Sequence, residues 1–378
     1  MKLEQKTWAE DGGWTPGRNS EMGEAAQLVL LFGSVMRLKD RDCLNEVRRM
    51  YPHAHLLGCS TAGEICGARV FDGSLVATAV HFEHTQLRGA KAKVDRMENS
   101  FNVGRQLARS LDQKGLTHVF VLSDGLKVNG SELVKGLIEN LPGHVSVTGG
   151  LSADGALFNE TVVLFDNDPD RDVVAALGFY GNRLKTGCAS MGGWDPFGPE
   201  RLITRSCGNV LYEFDGKSAL ALYKKYLGDH AKGLPSTGLL FPLNVRFKEN
   251  GRGVVRTILA VNEEDQSMTF AGDVPEGAYA RLMKANFDRL IDGAVGAAKT
   301  SLDILGGPPE FAILISCVGR KLILQQRVEE ELEGIRDVFG QQTVTTGFYS
   351  YGEISPAIPG AVCELHNQTM TITAFSEV

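Results

Sequence analysis

No stretch of the 378 residues is apolar for long enough to span a membrane. The first ten residues, Met1 to Glu10, are polar and lack the apolar core of a secretion signal. There is no basic face of the kind that grips nucleic acid: the net charge is -7, with both signs well mixed. Cysteines are few and odd in number, 7 in scattered positions, so a disulfide framework is not indicated and a reducing, cytoplasmic setting is expected. Phosphate loops, dinucleotide fingerprints and the His-Glu-x-x-His zinc motif are all missing. Disorder is also disfavoured, because 43% of the residues are hydrophobic and 22% charged.

What is present is a repeat. Three glycine-bracketed turns share one spacing: Gly58-Cys59-Ser60-Thr61-Ala62-Gly63, Gly150-Leu151-Ser152-Ala153-Asp154-Gly155 and Gly347-Phe348-Tyr349-Ser350-Tyr351-Gly352. The first and third run on into Glu64-Ile65 and Glu353-Ile354. Upstream of each lie an apolar run, small polar residues, an amphipathic stretch and a second apolar run. That order predicts strand, loop, helix, strand and turn.

Leu28–Phe32, His118–Leu122 and Phe311–Ile315 read as the leading strands. Helices are predicted over 41–51, over 132–140 with Ser131 as cap, and over 325–339. Residues 1–25 read as a polar, loosely attached tail. Residues 183–213 contain Gly192, Gly193, Pro196, Gly198 and Pro199, too many breakers for regular structure, and read as a long functional loop flanking a short strand over 202–206. The stretch 279–305 reads as one helix, and 254–261 with 268–271 as a hairpin. The resulting fold class is α/β: mixed sheets with flanking helices, built from repeated strand-helix-strand-turn units in two pseudo-related domains, 26–215 and 216–378.

Ligands of α/β sheets sit outside the carboxyl ends of strands. The loops there, with the three turns, offer Ser60, Thr61, Gly63, Glu64, Ser123, Asp124, Gly150, Asp154, Cys317, Arg320, Tyr349, Tyr351 and Glu353 as ligand-binding candidates. Arg320 suits a carboxylate or phosphate, and Asp124, Glu64 or Glu353 an amine. For any single turn, tight backbone geometry is reason enough for its glycines.

The motif Gly58-Cys59-Ser60-Thr61-Ala62-Gly63-Glu64-Ile65 resembles the FIST family. So do Gly149-Gly150-Leu151, Tyr212-Glu213-Phe214-Asp215-Gly216, Phe348-Tyr349-Ser350-Tyr351-Gly352-Glu353-Ile354 and His366-Asn367-Gln368-Thr369. The resemblance runs from about residue 25 to the end, as FIST N-terminal and C-terminal regions. It implies a bacterial sensory module of signal transduction, of the stand-alone type. Such a module binds a small ligand, an amino acid-like metabolite or haem b with nitric oxide, and regulates a separate sensor histidine kinase or cyclic-di-GMP enzyme. It also adds His366 and Asn367 to the candidate ligand-binding residues.

No Cys-x-x-Cys-His is present for covalent haem attachment, and no iron ligand is singled out among the eight histidines, Cys59 and Cys317. Nucleic acid and membrane are not expected partners. Catalysis is not expected either: the turns approach Gly-x-Ser-x-Gly without its closing glycine. Two alternatives stand beside the sensor. One is a thiol-dependent enzyme using Cys317 next to Arg320; the other is an interaction scaffold without a ligand.

Overall fold

A computed structural model describes residues 1–246, 253–358 and 360–378. The expected α/β architecture of mixed sheets and flanking helices is present. Three topologically equivalent units each contribute a leading strand and a parallel second strand. In the first unit these are β2 (Leu28–Gly33) and β3 (His55–Ser60), linked by α1 (Arg41–Met50). A strand β1 (Lys2–Ala9) precedes them. After the turn come β4 (Glu64–Cys66) and β5 (Leu75–His81). The second unit repeats this as β6 (Gln86–Lys93), α2 (Ser100–Ser110), β7 (Leu116–Ser123), α3 (Gly130–Ile138), β8 (Ser146–Leu151), β9 (Val163–Phe165) and β10 (Val173–Tyr180). The third has β11 (Leu184–Met191), α4 (Phe287–Leu305), β12 (Phe311–Cys317), α5 (Val318–Leu324), α6 (Val328–Phe339), β13 (Val344–Ser350), β14 (Gly352–Pro356), β15 (Cys363–His366) and β16 (Met370–Glu377).

The units exchange strands. After its turn, each chain segment leaves its own sheet and pairs with the second strand of another unit. Thus β4 pairs with β13, β9 with β3, and β14 with β8, all antiparallel. The sheet orders are accordingly β9-β3-β2-β5-β1, β15-β14-β8-β7-β10-β6 and β11-β16-β12-β13-β4, the first and third each extended by one short edge strand. Leading strands carry apolar side chains on both faces because sheet covers one side and helix the other. Phe32, Phe120, Ile315 and Phe348 meet in one cluster enclosed by the three sheets, with Phe32 and Phe348 rings 4.7 Å apart. On the outer faces, α2, α3, α4 and α6 bury Leu107, Leu133, Ala297 and Ile335 in another.

Several local expectations change. Lys2–Ala9 is a strand in register with β5, not a tail; its alternation of Leu3 and Gln5 with charged neighbours suits a sheet edge. The segment read as a breaker-rich loop holds β11 and a strand Asp195–Cys207. The latter keeps Pro196, Gly198 and Pro199 by shifting register between Phe197 and Arg201, where missing ladder bonds cost little. Tyr279–Lys284 is a strand, and the helix begins only at Phe287 behind the Asn286 cap. Helix α3 is capped by Asn129 rather than Ser131. Ile258–Asn262 does pair with Ser267–Phe270, whereas Val254–Arg256 pairs with Leu243–Arg246.

Between β11 and α4, the third unit carries an inserted β domain over 195–284. Among the described residues it forms an eight-stranded sheet, with its own core of Ile203, Leu211, Phe214, Tyr223 and Phe270.

The three turns interlock. Ala62 N–H donates to Tyr349 O at 2.8 Å, Ala153 N–H to Ser60 O at 2.8 Å, and Tyr351 N–H to Leu151 O at 3.3 Å, closing a ring through all three units. The ring and the strand registers fix the repeat: Gly149, not Gly150, is the counterpart of Gly58 and Gly347. A Cβ at these glycines would lie 2.1 Å from Leu31 O, 1.9 Å from Val121 O and 1.7 Å from Leu314 O. Close backbone approach to the neighbouring parallel strand is therefore what demands glycine.

Candidate functional site

Strand ends and inserted domain together line a half-open cavity of about 520 Å³. The three units supply Ala156, Phe158, Cys317, Val318, Gly319, Leu322 and Tyr351 to its wall. The inserted domain supplies Pro235, Ser236, Leu239, Thr257, Ile258, Leu259 and Ala271. The size falls in the range of small-molecule sites, and the mostly apolar lining with a few polar atoms is typical of them.

A longer second turn builds one wall. Val163 pairs with Cys59 in the place that Glu64 and Glu353 occupy in the other two units, so the intervening chain is longer and bulges outward. Asp154 organises that bulge. Its carboxylate accepts from the backbone N–H of Phe158 at 2.9 Å, and from those of Asn159 and Glu160 at 2.8 Å each. The Tyr351 hydroxyl also donates to it. Phe158 is held at φ 52, a left-handed conformation uncommon for a bulky residue, and such outliers gather at ligand sites. Its ring stacks on Tyr351 with centroids 4.3 Å apart and planes within 8°. The pair also lines a cavity of about 120 Å³ at the end of the second unit's strands.

Cys317 ends β12 and caps α5 without a side-chain hydrogen bond. Burial pushes its thiol well above the usual range, and the nearby Glu353 carboxyl adds to that. The Thr257 hydroxyl, on a residue 4% exposed, has no hydrogen-bond partner among the described residues.

Of the residues expected at the site, Cys317 and Tyr351 line this cavity. Thr61, Gly63, Glu64 and Asp154 line a separate, more polar one of about 410 Å³ at the first unit's strand ends, beside Glu10, Arg37 and Asp72. The rest hold the fold together. Arg320, expected to receive an anion, is fully buried and spent internally: Nη2 donates to Glu331 Oε2 at 2.6 Å and Leu290 O at 2.7 Å, and Nη1 to Gly192 O at 2.6 Å. Tyr349 donates to the same Glu331 at 2.7 Å.

Glu64 and Glu353 each tie a turn to the strand that follows. Glu64 accepts from Thr61 Oγ1 and Ser74 Oγ, and Glu353 from Ser350 Oγ and Thr369 Oγ1. Burial raises Glu64 to about 7 and Glu353 to about 8. Asp124 receives the N–H groups of Leu126 and Lys127, both at 2.8 Å, and the Thr161 hydroxyl at 2.8 Å. Ser60 Oγ accepts from Val162 N, and Ser123 Oγ donates to Asp124 O. Gly150 sits within β8, and His366 Nε2 faces Ser355 O at 2.9 Å. Asn367 is fully buried, its amide unpartnered among the described residues. Phe158 and Thr257 were not anticipated; the one available signal was the apolar pair Leu157-Phe158 in an otherwise polar stretch.

The sequence matches the FIST N domain over residues 27–217 and the FIST C domain over 219–356. The chain belongs to the FIST family. FIST domains are signalling sensor domains, which is consistent with a sensory role for the chain. An uncharacterized protein of Methanocaldococcus jannaschii is 23% identical over 344 residues, covering 84% of the FIST chain and 65% of that relative's length. The chain thus spans under two thirds of this relative. Among solved structures, a chorismatase aligns at TM-score 0.35 and 9% identity, covering 99% of the FIST chain and 98% of its own. A cyanuric acid hydrolase from A. caulinodans aligns at TM-score 0.39 and 8% identity, covering 100% and 98%. Likeness at that level says nothing about the chemistry of the FIST chain. Among its described residues no helix is long and apolar enough to cross a membrane, and no cluster of three or more His, Cys, Asp or Glu could hold a metal.

Proposed function

We propose that this FIST protein is a cytoplasmic sensor whose small-molecule ligand occupies the cavity of about 520 Å³ between the strand ends and the inserted β domain. The observation that carries the reading is the shared wall. Seven lining residues come from each body, so a ligand there contacts both and favours the arrangement in which both touch it. Occupancy is then passed to a separate partner, a sensor histidine kinase or a cyclic-di-GMP enzyme. Cys317 serves as a lining group and not as a nucleophile, because burial keeps it a thiol.

We do not assign haem b to this site. Among the described residues no histidine lines the cavity, its one thiol, Cys317, is held protonated, and its one phenol, Tyr351, is spent on Asp154. The buried His118 and His366 are engaged elsewhere, His118 by Ser146 and Thr148 and His366 by Ser355. An amino acid-like ligand finds ionised neighbours instead in the polar cavity, where Arg37 could receive its carboxylate.

A thermal-shift screen of metabolites tests the reading, since a ligand that binds only the native state raises its melting temperature. The expected result is a stabilising compound whose effect disappears in Leu239→Trp, which fills the cavity, and persists in Arg37→Ala. Loss in Arg37→Ala alone would move the site to the polar cavity. A full metabolite panel without effect would refute both.

A further inference from the structure

The chemistry of the cavity narrows its ligand. We infer that the ligand is an uncharged, ring-bearing molecule with one polar group that both donates and accepts hydrogen bonds, as a primary amide or lactam does. This rests on the proposal that the cavity is the sensory site.

Charge is excluded first. Among the described residues no Asp, Glu, Lys, Arg or His lines the cavity. The ionisable groups just behind the wall are spent: Arg320 on Glu331 and two backbone carbonyls, Asp154 on Tyr351 and three backbone N–H groups. A carboxylate or ammonium moved against such a lining loses part of its water and finds no counter-charge.

Hydrogen-bonding capacity is left over at and beside the lining. The Thr257 hydroxyl is unpartnered among the described residues. So are Nε2 and Oε1 of Gln368, a side chain with no exposed surface. Buried amides are nearly always satisfied, so an open donor and an open acceptor on one group call for a missing partner. Gly319 connects this amide to the cavity. It lies in α5 with no left-handed backbone angle to explain a glycine, and glycine weakens a helix. The reason is contact: a Cβ there would stand 2.4 Å from Gln368 Nε2 and 2.7 Å from Oε1. Gly319 also lines the cavity, so the amide stands directly beside a lining residue. A primary amide or lactam matches a glutamine amide donor to acceptor and acceptor to donor.

The ring follows from the aromatic part of the lining. Phe158 and Tyr351 present a stacked pair held in place through Asp154, a flat apolar surface suited to another ring.

Four probes of one size test this: toluene, benzamide, benzoate and benzylamine, measured by ligand-observed NMR titration of the full chain. Benzamide is expected to bind about tenfold more tightly than either charged probe or toluene, one good hydrogen bond's worth of selectivity. Thr257→Val and Gln368→Leu should each bring benzamide down towards toluene while leaving toluene unchanged. If Gln368→Leu does not fold, Thr257→Val carries the comparison. Benzoate or benzylamine binding as well as benzamide would overturn the inference, as would benzamide no tighter than toluene. In both cases loss of toluene binding in Leu239→Trp would leave the cavity itself standing as the site. If toluene and benzamide both fail to bind, the sensory cavity falls, and this assignment with it.

Discussion

Replacing Arg320 by methionine separates two roles that the residue's position at a strand end leaves open. Arg320 and Glu331 are both fully buried and joined by two hydrogen bonds, Nη2 to Oε2 at 2.6 Å and Nε to Oε2 at 3.2 Å. Methionine keeps most of the volume and removes the charge. It would leave the Glu331 carboxylate buried with only Tyr349 and Ser316 as donors, and the carbonyls of Gly192 and Leu290 without their partner. Breaking one side of a buried pair costs about 3–5 kcal/mol. Urea unfolding followed by far-UV circular dichroism should show that loss as a lower midpoint. Arg320→Met with Glu331→Leu should recover much of it, because no unpaired charge remains. The variant pair thus yields a coupling energy as well as a loss. A cost below about 1 kcal/mol, the level of an exposed pair, would refute the structural role. So would full stability accompanied by loss of ligand binding, which would return Arg320 to the site.

Other consequences follow from the buried acids, the glycines and the thiols. Glu64 and Glu353 stay protonated to about 7 and about 8 in the folded chain against 4.5 ordinarily, so the folded state holds protons the unfolded chain has released. Their effect is a loss of stability as pH rises from about 4.5 to about 8. His118, lowered to about 3 from 6.5, acts oppositely, and its destabilising effect at low pH is gone above 6.5. Unfolding free energy should therefore fall between pH 6.5 and 8, by up to about 1.4 kcal/mol per unit for each glutamate, and Glu353→Gln should flatten the slope; a flat wild-type profile would contradict this. Gly347→Ala forces a Cβ to 1.7 Å from Leu314 O and should cost more than about 3 kcal/mol or abolish folding; soluble, wild-type-like protein would show that the strands can spread. Iodoacetamide at neutral pH should label exposed Cys207 first and Cys317 slowly, as mass spectrometry of timed digests would show; preferential labelling of Cys317 would revive the thiol-enzyme alternative.

The leading strands, α1 and the three turns were legible because their signals are local. Leu28 to Phe32 is an unbroken apolar run, Leu44, Val47 and Met50 sit at helical spacing, and the glycines of the first and third turns recur at one interval. Local signals misled where neighbours override them. Pro196 and Pro199 look incompatible with a strand until the register shift beside them is seen. Tyr279–Lys284 joins a helical pattern in the sequence, yet it pairs with Leu243–Arg246 on one side and Asp195–Cys207 on the other. The second turn looked as if it began at Gly150, since glycine spacing there is ambiguous by one. Only the contact of Gly149 with Val121 O resolves it.

For the site, sequence reasoning reached Cys317 and Tyr351 through strand ends and the repeated turn. It also gathered buried groups such as Glu353 and Arg320, which reach Thr369, 16 residues on, and Glu331, 11 residues on, pairings that cannot be read from spacing. What this sequence determined by itself is the repeated unit, its α/β character and its family, because these depend on periodicity and on glycines required by backbone contact. Tertiary structure decided that each turn hands its next strand to another unit's sheet, that Arg320 faces Glu331, and that an inserted domain shares a cavity wall with Cys317 and Phe158. All three depend on pairings between distant segments, and hydrophobic burial carries no address for its partner.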